Sequence, residues 1–454
     1  MTPTRLRPLA ALLMVAAAPV AAAPERRPQP APVLMISIDG LRPDDVLHAA
    51  DRGMNLPNLR TLATHGAHAS GVRGVLPSVT YPSHTTLVTG VAPAIHGIAS
   101  NLRFDPTGRN HDGWYWYAAA IRAQTLWGAV RATGGRTASI GWPVTVGQGA
   151  IDANIPEYWR ARTADDGLLL RALATPGLVD AAERASGAHL DMGDTDPPQD
   201  GEKAKAAAWM ATARPRFFTV HLSSLDHQEH VFGPGSPEAR AALTQIDADV
   251  GTIVAAARAA QPDLVVAIVS DHGFAPVTQD INLTAAFVRA GLVRLDAAGA
   301  VAGWDAMPWP AGGSAAVVLA RRDDPALRRR VAGLLAGLAR DRASGIGAVV
   351  DRTALHDRGA ADDADFFVDA RIGYQFAART GGALVTPGTS RGTHGYFPDH
   401  PEMRSTFIVN GPAIAAGRDL GEIDMRDIAP TLADVMGTPL TGATGHVLAV
   451  RKDR

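Results

Sequence analysis

The chain has 454 residues, 46% hydrophobic and 19% charged, enough apolar material to bury a full α/β core and too much for a disordered polymer. Lys and Arg number 43 against 45 Asp and Glu, for a formal net charge of -2, so nothing in the charge balance points to a polyanion-wrapping or polybasic membrane surface and no nucleic-acid polymer is expected as a partner. Cysteine is absent, which rules out a disulfide framework, a thiolate metal site and a cysteine nucleophile.

Arg5 and Arg7 precede an apolar run over 9–20 and the small residues Ala21, Ala22 and Ala23. This order reads as a secretory signal peptide over 1–23, too short to span a bilayer comfortably. A flexible lead-in follows over 24–32. No membrane anchor is expected after cleavage, and the expected location is the periplasm of a Gram-negative bacterium or the medium.

Apolar, β-branched runs at 33–38, 137–140, 217–222, 264–269 and 405–409 have strand length. Between them lie helical patterns at 58–65, 121–132 and 238–259, the last carrying Leu243, Ile246, Val250 and Ile253 at three- to four-residue spacing. This alternation predicts an α/β fold with a doubly wound, mostly parallel central sheet flanked by helices. The stretch 285–378 differs in texture, with Gly-, Ala- and Asp-rich turns, a short strand at 315–319 and a helix at 325–341. It reads as a small inserted α+β subdomain, leaving 33–284 and 379–454 as the catalytic domain.

Polar residues fall where open α/β sheets build ligand sites, at the carboxyl ends of buried strands. Asp39-Gly40 follows 33–38, and Ser270-Asp271-His272-Gly273 follows 264–269. Asp226 and His230 stand four apart just beyond 217–222, and His394 lies in the glycine-bounded Gly392-Thr393-His394-Gly395. Thr80 precedes Pro82, which suits a first helical turn, and Gly90 suits the end of that helix. A helix amino terminus favours an anion there, but a threonine hydroxyl becomes a nucleophile near neutral pH only with a metal or base beside it. The carboxylate and imidazole donors suit zinc best; manganese and iron can use the same set. Each residue alone has a plain alternative as a helix cap, turn former or satisfied core group; five motifs together do not. His84 and His96 read as hydrogen-bonders, and His227 and a solvated or supporting Glu229 as neighbours of ligands.

The ordered set Ser37-Ile38-Asp39-Gly40, Pro77 to His84, Leu87-Val88-Thr89-Gly90, His96-Gly97-Ile98, Asn101, Asp105-Pro106, Trp142-Pro143, Asp226 with His230, Ser270 to Gly273 and Gly392 to Gly395 resembles the nucleotide pyrophosphatase/phosphodiesterase family of the alkaline phosphatase superfamily. The resemblance implies an alkaline phosphatase-like fold and two Zn2+ ions. It implies Asp226, His230 and His394 at one ion, and Asp39, Asp271, His272 and the Thr80 oxygen at the other. It further implies hydrolysis of phosphodiester or phosphoanhydride bonds through a covalent phospho-threonine on Thr80. Asn101 would donate to a non-bridging phosphoryl oxygen, and Tyr81 would stack on a nucleobase or other flat group. Trp142 and Tyr158 are further candidates for the substrate pocket, with core aromatics as the plain alternative. The substrate is expected to be a small phosphodiester or nucleotide; the oligomeric state is left open. A phosphomonoesterase or phosphonate hydrolase on the same two metals, or a non-catalytic periplasmic metal- or nucleotide-binding protein, are the competing readings.

Overall fold

The computed structural model describes residues 30–109, 113–158, 166–190 and 199–452. The expected signal peptide over 1–23 and most of the lead-in lie outside them. Among the described residues, no helix is long and apolar enough to cross a membrane.

Eight strands form the central sheet: β1 (Val33–Ile38), β2 (Ala67–His68), β3 (Thr137–Ile140), β4 (Ala153–Ile155), β5 (Phe217–Leu222), β6 (Val265–Val269), β7 (Phe407–Asn410) and β8 (Arg418–Asp419). Their order is β8-β2-β7-β6-β1-β5-β3-β4. The run β6-β1-β5-β3-β4 is parallel throughout, and β7 is antiparallel to both its neighbours. The expected doubly wound, mostly parallel sheet is therefore present.

Every residue of β1, β5 and β6 is buried, which explains their unbroken apolar sequences: a strand covered on both faces has no solvent side to alternate with. Leu34, Ile36 and Ile38 point into one core, and Val33 and Met35 into the other. Three helices matter to the site: α1 (Thr80–Thr89), α2 (Ser224–Phe232) and α3 (Pro237–Ala260). Leu243, Ile246, Val250 and Ile253 of α3 close the first core, while Leu87 and Val88 of α1 join the second beside the helix Ile428–Met436. The helix expected over 121–132 is shorter, Leu126–Ala132, because the Thr125 side chain accepts from Gly128 N and starts it there.

The register levels the strand ends. Val33 pairs with both Phe217 and Val265, so β1, β5 and β6 finish along one edge. The candidate ligands Asp39, Asp226, Asp271 and His272 all follow those three ends.

Beyond β6 the chain forms an antiparallel four-stranded sheet in the order Ala306–Ala311, Ser314–Leu319, Phe366–Ala370, Ile346–Asp351. The helix Pro325–Arg340 packs Leu327, Val331 and Leu335 against it. The strand Ala275–Ile281 ties this unit to the rest, pairing with Gly373–Phe376, Val385–Pro387 and Gly392–Thr393. Because Thr393 lies opposite Ala275, His394 returns beside His272. The tip of the Ala306–Ala311/Ser314–Leu319 hairpin seats on that same loop, with Gly313 N donating to His394 O at 2.7 Å. Gly312 there has φ +72°, and an added Cβ would fall 2.4 Å from His394 O, so the tip admits no side chain.

Candidate active site

Val79 is extended and Gly90 closes the other end of α1, so Thr80 is the first helical residue. Its neighbour's amide has no helical acceptor at that position, and Asn101 supplies one: Tyr81 N donates to Asn101 Oδ1 at 2.8 Å. The same bond turns the other half of the amide toward the hydroxyl, with Asn101 Nδ2 donating to Thr80 Oγ1 at 3.5 Å. All ten residues of α1 are buried. Two of its hydroxyls bond back one turn, Thr85 Oγ1 to Tyr81 O and Thr89 Oγ1 to Thr85 O, both at 2.8 Å, and Thr86 Oγ1 donates to Val91 O at 3.0 Å.

Two groups of side chains offer ligand atoms within 4.8 Å of one another: Asp39, Asp271 and His272, and Asp226, His272 and His394. His272 Nε2 joins them, 3.3 Å from Asp39 Oδ1 and 3.1 Å from Asp271 Oδ2. His394 Nε2 and His230 Nε2 each lie 3.6 Å from an oxygen of Asp226. The i, i+4 spacing on α2 puts Asp226 and His230 on one face. The rings of His272 and His394 stack 3.6 Å apart with planes 7° from parallel. Far-side nitrogens are anchored to backbone carbonyls, His230 Nδ1 donating to Gly392 O at 3.0 Å and His394 Nδ1 to Ser78 O at 3.3 Å, which fixes Nε2 as the inward atom. Ser78 and Val79 carry this contact to the start of α1, and His84, whose Nδ1 donates to Thr80 O at 2.8 Å, stands 3.6 Å from Asp271 Oδ2. Thr80 and both groups thus share one edge of the sheet. Gly40, at φ +76°, lets its amide reach Asp271 Oδ1 at 3.3 Å where a Cβ would crowd Glu229 and Phe274 at 3.1 Å.

The inward atoms Asp39 Oδ1, Asp226 Oδ1, Asp271 Oδ2 and His272 Nε2 are buried and have no hydrogen-bond partner. Burial, then the Asp271 and Asp226 carboxylates, push the Asp39 carboxyl well above the ordinary range. Against burial, the His272 and His84 imidazoles hold Asp271 well below it. His272, despite burial, is pushed up to about 9 by Asp271 and Asp39, while burial and the neighbouring His272 and His230 drive His394 well down. Carboxylates crowded this closely, with free lone pairs facing imidazole nitrogens, are a donor set for divalent cations. Oxygen and nitrogen donors without sulfur fit zinc.

Two supporting elements were not foreseen. His221, inside the apolar run of β5, reaches both Asp39 and Glu157. Asp200 accepts from Ser223 N at 3.1 Å and Ser224 N at 2.7 Å, capping the start of α2, and pairs with buried Lys203 at 2.7 Å. Against burial, Lys203 and Ser224 hold the Asp200 carboxyl below its usual range. Its stabilisation is therefore fully present above the unfolded value near ~4 and is lost as pH falls through the folded one. Asp200→Ala is expected to cost about 3–5 kcal/mol at pH 7 by leaving Lys203 buried and unpaired; urea unfolding measures it.

Other expectations need correction. Glu229 is not solvated: it is buried, 3.8 Å from Arg42, and burial raises its carboxyl well above the ordinary range. Trp142 is fully buried, edge-on to Trp127 and His84, and belongs to the core under α1. Tyr81 is fully buried too, tilted against half-buried Trp114 at 5.1 Å, so its ring offers no open face for stacking. Tyr158 packs on Trp116 at 4.6 Å and is 8% exposed.

A sequence model described as type I phosphodiesterase / nucleotide pyrophosphatase matches residues 33–397. The chain belongs to this family. A pyrophosphatase/phosphodiesterase of Schizosaccharomyces pombe, itself named as uncharacterized, is 28% identical over 295 residues, covering 62% of this chain and 50% of that protein. Ectonucleotide pyrophosphatase/phosphodiesterase family member 1 of Rattus norvegicus is 26% identical over 255 residues, 53% of this chain and 24% of its own length. The match thus spans half or less of these relatives. Human ectonucleotide pyrophosphatase/phosphodiesterase 5 shares the fold, with TM-score 0.62 and 18% identity over 91% of this chain and 97% of the other. The murine counterpart, solved as an inactive threonine-to-alanine variant in complex with AMP, aligns with TM-score 0.61, 18% identity and the same coverage. The family and its alkaline phosphatase-like fold agree with the resemblance carried by the sequence motifs.

Proposed function

We propose that the chain is a two-zinc phosphodiesterase/nucleotide pyrophosphatase that hydrolyses small phosphodiesters or phosphoanhydrides through a phospho-threonine on Thr80. The observation that carries this is the gathering of two carboxylate–imidazole groups around His272 beside a helix that begins with Thr80. Asp226, His230 and His394 would hold one ion, and Asp39, Asp271 and His272 with the Thr80 oxygen the other. When bound, the ions supply Lewis acidity that lowers the hydroxyl pKa and offsets charge on the leaving oxygen. Thr80 Oγ1 attacks phosphorus in line, the P–O bond to the leaving group breaks, and water later releases the phosphoryl group and restores the hydroxyl. Asn101, already fixed by Tyr81 N, points Nδ2 at the reacting oxygen and can donate to a non-bridging phosphoryl oxygen as charge builds. The catalytic domain would comprise 33–284 and 379–454, with 285–378 inserted. The amino-terminal pattern over 1–23 supports export to the periplasm or the medium.

Asn101 bears on substrate class. It is neutral, so it matches a phosphodiester with one negative charge better than a monoester with two. Purified protein with zinc should hydrolyse bis-p-nitrophenyl phosphate with a kcat/KM at least about tenfold above that for p-nitrophenyl phosphate, a difference of about 1.4 kcal/mol. A preference for the monoester would reassign the chemistry to phosphomonoester hydrolysis. Binding of AMP without turnover of either ester would make it a binding protein.

A further inference from the structure

Asp39 is held from behind by groups that the reaction itself does not need. His221 lies opposite Ser37 in the parallel pairing of β5 with β1, so its ring reaches the residue just past the end of β1. His221 Nε2 is 3.1 Å from Asp39 Oδ2, and Nδ1 is 2.8 Å from Glu157 Oε2 and 3.1 Å from Gly141 O. Gly141 follows β3 and Glu157 follows β4, and Gly141 N donates to Ile155 O at 2.8 Å. The contacts therefore run across four neighbouring parallel strands, from the sheet's outer edge to its centre. Asp39, His221 and Glu157 are 3%, 1% and 5% exposed, so solvent cannot substitute for any of them. His84 covers the imidazole from the α1 side, ring centroids 4.4 Å apart.

The two oxygens of Asp39 are used differently. Oδ2 meets His221, whereas Oδ1 has no hydrogen-bond partner and faces His272 Nε2 in the group that includes Asp271. A carboxylate pinned through one oxygen presents the other from a fixed direction, which is how outer groups raise the affinity of a metal ligand they never share with the ion. A buried cluster kept only for stability would not require this division of labour between the oxygens.

We propose that His221, oriented by Glu157, is a positioning residue that commits Asp39 Oδ1 to the cation shared with Asp271 and His272. The role rests on the two-metal reading above and adds to it a residue pair that sets the affinity of one of the two sites.

Zinc titrated into chelator-stripped full-length protein tests this, with bound metal counted by elemental analysis and affinities read by competition with a chromophoric chelator. Urea unfolding of the stripped protein gives the stability without metal. Wild type should take two equivalents. His221→Ala should weaken one site about 10–100-fold and spare the other, and His221→Gln, whose amide can still donate to Asp39 Oδ2, should recover part of the loss. Glu157→Gln, similar in shape but uncharged, should weaken the same site to a smaller degree, and it decides the matter alone if His221→Ala does not fold. Wild-type affinity at both sites in Glu157→Gln and in any His221 variant that folds overturns the role. Equal weakening of both sites with a less stable stripped protein also overturns it, since that marks a general structural contribution. A wild type that takes up no zinc removes the two-metal reading and this role together, whereas two equivalents in wild type with unchanged variants removes only the role.

Discussion

Thr80→Ala is expected to lower kcat/KM for a phosphodiester by on the order of 10⁴–10⁶-fold, the range seen when the nucleophile of a catalytic group acting as a unit is removed. The expectation rests on position. Thr80 opens α1, its hydroxyl faces Asn101 Nδ2, and Ser78 two residues earlier accepts from His394 Nδ1. Removing a single hydroxyl leaves the other ligands in place, so zinc content should fall little and the unfolding midpoint should hold. That contrast separates loss of the nucleophile from loss of the site. Thr80→Ser, which keeps the oxygen, should retain a measurable part of the rate, and acid quenching during turnover of a diester should trap a covalent phosphoryl group, still carrying its second ester, on wild type but not on the alanine variant. Unaltered turnover by Thr80→Ala would remove Thr80 from the mechanism.

Stripping the metal should be nearly as damaging, and reversible. Asp39, Asp226 and Asp271 bring three carboxylates to one edge of the sheet, with Asp39 and Asp271 deeply buried. Without cations these groups repel one another and the Thr80 hydroxyl keeps its ordinary acidity. The several kcal/mol of charge stabilisation then missing corresponds to a rate loss of about 10³-fold or more. Stability should fall as well. A ligand held at about a thousand times its dissociation constant contributes about 4 kcal/mol to the folded state, so the chelated protein should melt at a distinctly lower temperature. Turnover and melting temperature should recover together on adding zinc, and a stripped protein that still hydrolyses the diester would overturn the metal-dependent reading.

The parts of the site that were legible in the sequence are those that punctuate it. Asp39-Gly40 and Asp271-His272-Gly273 interrupt apolar strands at their carboxyl ends, and Asp226 with His230 has a spacing that any helix resolves onto one face. Those signals are local. His221 was hidden because a single histidine in Phe217–Leu222 looks like a satisfied core residue, and its meaning depends on Asp39 and Glu157, separated from it by 182 and 64 positions. Asp200 was hidden for the same reason, lying well upstream of the helix it caps. The solvated alternative for Glu229 failed because helical spacing beside Asp226 and His230 says nothing about Arg42 and the Gly40 backbone, which lie against it from far along the chain. The aromatic residues were the least legible. Tyr81 adjoins the candidate nucleophile and Trp142 stands in a separate motif, but α1 is buried on every side and both rings pack inward.

The glycine tip that touches His394 constrains how this architecture can change. Because the backbone of Gly312 and Gly313 lies directly on the carbonyl of a candidate ligand, the smaller sheet is a keystone for the loop that carries His394 and not an ornament hung from the larger one. The strand Ala306–Ala311 that leads into the tip is itself anchored, Trp309 sharing one buried apolar cluster with Leu76 and Ala99. Neither tip glycine can take a side chain without displacing the His394 carbonyl or the Tyr396 ring, so a change at the tip would be felt at the backbone that carries one candidate imidazole.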